Sequence, residues 1–298
     1  MRLKNAGYVV LACLLLAPLS VSAQVLYATQ GCRPCMPYPD GLFTLNPADG
    51  TATLIGNMGE SVVALDVHPI TGVLYGTTTS ASANPSSLIT INTSDASVTV
   101  VGPHGLDNAI VDLTFAPDGT LYGWIQPNLD QAVRLDLATG AASPLSYSGL
   151  STLNAAFDLG PTGFFYLFGN NTSPFPPGSI ARLQVADGAP LDAVPLNPFA
   201  GERYAAGSFN GSGVLYAIAG PDTVNLSLVT VDFQTGGVSV IGGVPDYLAG
   251  LAWSTTPEIP WPAPLVTPVP AMSRSGIVVL AVLLGGLGAL LVRRLSNR

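Results

Sequence analysis

Val111 to Gly123 reads V-D-L-T-F-A-P-D-G-T-L-Y-G. Val111, Leu113 and Phe115 alternate as the inward face of a strand does, Asp118-Gly119 supplies a tight turn tolerant of positive φ, and Leu121-Tyr122-Gly123 begins a return strand. The same hairpin recurs at Val63 to Gly76, Ala155 to Tyr166 and Ala205 to Tyr216. Two half copies complete the set. Val25-Leu26-Tyr27 is a return strand with nothing before it, and Leu248 to Trp253 is a first strand with nothing after it.

The tyrosines Tyr27, Tyr75, Tyr122, Tyr166 and Tyr216 fall 48, 47, 44 and 50 residues apart. That is the period of four-stranded propeller blades. Each hairpin is followed by a second strand pair: Leu42 to Gly50, Leu88 to Ala96, Ala132 to Gly140, Ile180 to Gly188 and Leu228 to Gly236, with fourth strands such as Thr51 to Gly56, Val98 to Gly102 and Val238 to Gly242. The expected fold is therefore all-β, a five-bladed β-propeller of four-stranded antiparallel blades over residues 24–256. Leu248 to Trp253 should lie beside Val25-Leu26-Tyr27 and close the ring, because complementary half repeats serve no purpose in the alternative, an open solenoid of the same units.

Composition agrees. In 298 residues, 48% hydrophobic and 9% charged, there is material for a large core, and 33 glycines with 26 prolines favour a turn-rich fold. Residues 24–268 hold four basic side chains (Arg33, Arg134, Arg182, Arg203) against 18 acidic ones, a net of −14. Such a surface repels phosphate backbones, so nucleic acid is excluded as a partner.

The two ends have their own character. Residues 1–23 read as a helical signal peptide: Arg2 and Lys4 start it, Tyr8 to Leu16 is apolar, and Val21-Ser22-Ala23 places cleavage between Ala23 and Gln24. Residues 257–270 are a proline-rich linker, extended at about 3.1 Å per residue where polyproline II forms. Ile277 to Val292 is an uncharged apolar run followed by Arg293, Arg294 and Arg298. As a helix it spans about 24 Å, slightly short of a hydrocarbon core of about 30 Å; the arginines belong in the cytoplasm and the propeller outside it.

The repeat units Leu135-Asp136-Leu137-Ala138-Thr139-Gly140 and Val231-Asp232-Phe233-Gln234-Thr235-Gly236 resemble those of exported bacterial propeller repeat proteins. Residues 271–298, with the preceding Val269-Pro270, resemble the C-terminal sorting signal IPTL-CTERM, whose signature is I-P-T-L-S-x-W-G. Val269, Pro270, Ser273 and Gly276 fit it conservatively; Ala271, Met272 and Ser275 depart from it. The resemblance implies an exosortase-type processing peptidase as partner, and a place in the cell envelope or on the surface of a Gram-negative bacterium. The chain would first be anchored in the inner membrane by the 277–292 helix. An ordinary C-terminal membrane anchor is the other reading of the same segment.

Cys32 and Cys35, the cysteines left once Cys13 departs with the signal peptide, are expected to form a short disulfide, stabilising the fold by about 2 kcal/mol. Met36 occupies the position where a haem attachment needs histidine, and zinc would need two further ligands at suitable spacing. Repeated aspartates such as Asp66, Asp136 and Asp232 read as turn-fixing residues, and His68 as a surface turn residue. The inner strands offer mostly Ala64, Leu113, Phe157 and Gly207 toward the axis, and no catalytic group is assigned.

Variable loops on a rigid scaffold are where binding sites lie. The loops after the second strand of each blade and those between blades share one face and carry Tyr38, Asp40, His104, Asp107, Trp124, Asp130, Phe175, Asp222, Asp246 and Tyr247. That mixture suits a glycan or protein ligand. No metal or other cofactor is expected, calcium being the one ion the carboxylates suit. The expected function is a binding or structural module of the cell envelope; the alternative is a secreted propeller lyase or hydrolase acting on an extracellular polymer.

Overall fold

A computed structural model describes residues 24–31, 40–126, 130–147, 149–198 and 202–254. The expected signal peptide, Cys32, Cys35, Tyr38, the linker and the C-terminal tail lie outside the described residues.

Within them the chain forms strands and turns only. Blade 1 contains β1 (Leu26–Gln30), β2 (Gly41–Leu45) and β3 (Ala52–Asn57), and blade 2 contains β4 (Val62–Val67), β5 (Leu74–Thr78), β6 (Ser87–Ile91) and β7 (Val98–Pro103). Blade 3 is β8 (Ala109–Phe115), β9 (Leu121–Gln126), β10 (Gln131–Leu135) and β11 (Ala142–Pro144), and blade 4 is β12 (Ser151–Leu159), β13 (Phe165–Ser173), β14 (Ser179–Leu183) and β15 (Pro190–Pro195). Blade 5 is β16 (Arg203–Phe209), β17 (Leu215–Gly220), β18 (Ser227–Val231) and β19 (Val238–Gly243); β20 (Leu248–Trp253) returns to blade 1.

The closure is as expected from the two half repeats. β20 pairs with β1, setting Leu26 opposite Trp253 and Ala28 opposite Leu251, so blade 1 has the order β20-β1-β2-β3. Ser254 tightens the joint. Its amide donates to the Val25 carbonyl at 2.7 Å, and its hydroxyl accepts from the Val25 amide at 2.7 Å. The inner strands β20, β4, β8, β12 and β16 then adjoin one another around the ring, which rules out an open stack.

What holds neighbouring blades together is apolar burial. Five clusters of buried side chains occupy the five seams; Leu42 and Ala252 of blade 1, for example, pack with Leu65 and Ile89 of blade 2. The recurring tyrosine belongs to these seams. Tyr75 meets Phe115 of the next blade at 5.4 Å between ring centroids, Tyr122 meets Phe165 at 5.0 Å, Tyr166 meets Phe209 at 5.4 Å and Tyr216 meets Trp253 at 5.0 Å. All four pairs are edge-on, the arrangement the ring quadrupoles favour.

At the rim, fourth-strand glycines let the next blade's outer turn approach. A Cβ at Gly102 would overlap the Thr139 carbonyl oxygen of blade 3, and one at Gly242 would overlap the Asp49 carbonyl of blade 1.

Candidate functional site

An inner strand has one edge without a strand partner, and its N–H groups need acceptors. In this ring aspartates supply several of them. Phe115 N donates to Asp66 Oδ2 at 2.5 Å, linking blade 3 to blade 2. Asp112 Oδ2 accepts from Phe157 N at 2.9 Å and Gly207 N at 3.3 Å, joining blade 3 to blades 4 and 5. Asp158 Oδ2 accepts from Phe209 N at 2.6 Å, while its Oδ1 takes the Thr114 hydroxyl at 2.5 Å. Leu159 N in turn donates to Thr114 Oγ1 at 2.9 Å.

Burial sets the charge state of this group. Loss of solvent pushes the Asp158 carboxyl up to about 7. Asp66 and Asp112 move in the same direction, well above the ordinary carboxylate range, chiefly through desolvation and further through the nearby charge of Asp158. Solvent still touches Asp66, beside the β4–β5 turn, but lost hydration remains the largest influence there. These carboxylates fasten the ring at its axis.

Two expectations change as a result. Asp136 and Asp232 do fix turns, accepting from Ala138 N at 2.8 Å and Gln234 N at 2.9 Å. Asp66 does not join them: only its Oδ1 has a local partner, Val67 N at 2.7 Å, and its Oδ2 crosses to the next blade. The axis is also more acidic than Ala64, Leu113, Phe157 and Gly207 implied. Phe157 and Gly207 reach it with their backbone N–H groups, which hold Asp112.

Toward the loop face the axis has a different lining. A cavity of about 80 Å³ is walled by Val63, Val111, Ala155, Ala205 and Ala249, one residue from each blade, together with Gln126, Arg203 and Tyr204. Val63, Val111, Ala205 and Ala249 fall at the register shifts in β4, β8, β16 and β20, where one residue is extra to the pairing. A bulge turns a side chain out of strict alternation, and here it turns small apolar groups toward the axis. Arg203 lines this cavity with its Nε buried and without a hydrogen-bond partner. Desolvation holds its pKa down, opposed by the negative charge of Asp222.

The loop residues singled out from the sequence do not gather at one point. Trp124 is fully buried rather than displayed on the face: its Nε1 donates to Thr152 Oγ1 at 3.0 Å, and that hydroxyl reaches Asp130 Oδ1 at 2.6 Å. Trp124 and Asp130 thus share one buried chain. Phe175 packs half-buried beside the same apolar cluster. His104 is buried between β7 and β8, its Nδ1 accepting from Leu106 N at 3.2 Å, and desolvation lowers its pKa, favouring the neutral ring.

Asp40 is buried with φ of 72°, its carbonyl accepting from Met58 N at 2.8 Å, and Asp107 is exposed. Asp222, Asp246 and Tyr247 do come together. Asn225 N donates to Asp246 Oδ1 at 2.9 Å and Tyr247 N to the Thr223 carbonyl at 2.7 Å, while Asp222, exposed, lies within electrostatic reach of Arg203. Of the two histidines, His68 is the turn residue expected, its Nδ1 accepting from Ile70 N and Thr71 N at 3.2 Å each.

No family model and no curated protein matches the sequence. Among solved structures, the chain is similar to one in a nidogen/laminin complex, with TM-score 0.52 and 14% identity over 78% of this chain and 99% of that one. TolB from Acinetobacter baumannii gives TM-score 0.47 and 17% identity over 74% of this chain, which spans about half (53%) of TolB. At 14% identity the likeness to the chain of the nidogen/laminin complex is one of fold alone.

Proposed function

We propose that this protein is an exported propeller, held in the cell envelope by its C-terminal segment, that binds a partner on its loop face. The observation that carries the reading is the contrast along the axis. Toward the β4–β5 type of turn, the ring is fastened by Asp66, Asp112 and Asp158, whose oxygens take backbone and hydroxyl donors. Toward the loops lies the cavity lined by Gln126, Arg203 and the five small aliphatic residues. Three converging carboxylates are what would favour a hydrolase, but backbone amides and the Thr114 hydroxyl already occupy them as acceptors, which supports binding over turnover.

Export is supported by the sequence of residues 1–23, and envelope retention by the linker, apolar run and terminal arginines, with Val269, Pro270, Ser273 and Gly276 as the sorting motif. The Cys32–Cys35 disulfide belongs to the same compartment. Cell fractionation with intact mass measurement tests this. The mature chain should come from the envelope fraction, begin at Gln24, carry two fewer hydrogens than its two thiols require, and have lost its tail if the exosortase-type peptidase acts. Recovery from the cytoplasm with residues 1–23 attached would overturn the proposal.

A further inference from the structure

Arg203 is an unusual feature in so acidic a chain. Arg182 is spent on Asp192 in a two-pronged exposed pair, and Arg134 is exposed. Arg203 instead lines the cavity at the ring axis, with the exposed Asp222 carboxylate as the charge that acts on it.

The cavity around it constrains what the ligand is. Its volume, about 80 Å³, suits a few waters or a group of a few heavy atoms. The collar of Val63, Val111, Ala155, Ala205 and Ala249 is wholly aliphatic and suits methylenes; Arg203 suits a planar anion presented to its fork. The net charge of −14 over residues 24–268 repels highly charged anions at a distance. A singly charged anion with a short apolar stem meets all three conditions.

We infer that the axial cavity at the loop face binds an aliphatic carboxylate of the size of an acidic side chain, its stem in the aliphatic collar and its carboxylate on Arg203. The chemistry is shared by a free short-chain acid and by an aspartate or glutamate side chain of a protein partner. This inference rests on the loop face being the binding face of an exported module, and it adds the chemical class of the group recognised there.

The test is an NMR titration of the full-length, methyl-labelled protein, purified from its host, with three probes: propionate, neutral propionamide, and the capped peptide acetyl-Gly-Glu-Gly-amide. Valine methyl signals of Val63 and Val111 should shift saturably with propionate and not with propionamide. Arg203→Gln should weaken propionate at least ~10-fold, the equivalent of one charged hydrogen bond. Ala249→Leu, which fills the cavity from blade 1, should abolish the response while Arg203 remains.

Saturation by the peptide at lower concentration than propionate would support the site and assign it to a partner's acidic side chain; saturation by propionate alone would support it and assign it to a free acid. Equal response to propionate and propionamide, or no saturable response in the wild type, would overturn the carboxylate site. If that happens with protein still recovered from the envelope beginning at Gln24, the exported-module reading stands. An unprocessed cytoplasmic chain would sink that reading whatever propionate does.

Discussion

Asp158 shows what a single side chain does for this ring. Its oxygens take Phe209 N from blade 5 and the Thr114 hydroxyl from blade 3, so removing it frees donors in two neighbours at once. The cost is a buried charge, and burial lifts its pKa to about 7. Since the folded value lies above the ordinary aspartate value near 3.9, the folded state binds the proton more tightly than the unfolded chain. Its stabilisation is fully present below about pH 4 and is lost as pH rises through about 7.

Asp66 and Asp112 add in the same direction. The melting temperature should therefore fall between pH 5 and pH 8, and Asp158→Asn, a neutral stand-in for the protonated acid, should flatten that fall. Thermal unfolding followed by circular dichroism across this range checks it; stability that rises with pH, or a slope unchanged in Asp158→Asn, would contradict the assignment. These three residues were not legible as an axial group. Asp66 and Asp158 look like the turn-fixing Asp136 and Asp232, and Asp112 follows the extra residue Val111, which breaks the two-residue alternation by which a strand's faces are read.

At the level of elements, the turns and the tyrosine period were readable because they depend on local chemistry. Asp118 Oδ1 caps its hairpin turn through Thr120 N at 2.9 Å, a contact between near neighbours in sequence. The seams between blades depend on residues about one repeat apart, and only their aromatic half, Tyr75 with Phe115 and its equivalents, left a periodic trace. The glycine approach at the rim is the other half. Gly242 faces the Asp49 carbonyl across the closing seam, whereas its neighbour Gly243 has open space around its Cα.

Gly242→Ala should thus destabilise the protein by about 1–3 kcal/mol through overpacking, while Gly243→Ala should be tolerated. In a domain of this size that separates the two variants by roughly 2–12 °C in melting temperature. Equal melting of the two variants would remove the rim contact from the account of closure.

The whole molecule was legible as a ring because Val25-Leu26-Tyr27 and Leu248 to Trp253 are complementary halves, and they do pair. The cavity end of the axis was harder to read. Sequence pointed to the polar and aromatic loop residues, yet Trp124 and Phe175 pack inward and His104 is buried, whereas the cavity is built from small residues that bulges turn toward the axis. Nothing in the composition of Val63, Val111, Ala205 and Ala249 distinguishes them from ordinary core. Arg203 was the available signal: one of four basic residues in a stretch with 18 acidic ones, and placed at the start of an inner strand.

The two ends of the axis differ in lining, and site-specific photo-crosslinking in living cells tests the proposed binding face directly against the opposite one. A photoreactive amino acid in place of Asn225 reports on the loop face, and one in place of Thr71, in the β4–β5 turn, reports on the opposite face. The account predicts a discrete envelope cross-link from position 225 that Ala249→Leu diminishes, and none from position 71. A discrete cross-link from position 71 alone would contradict it.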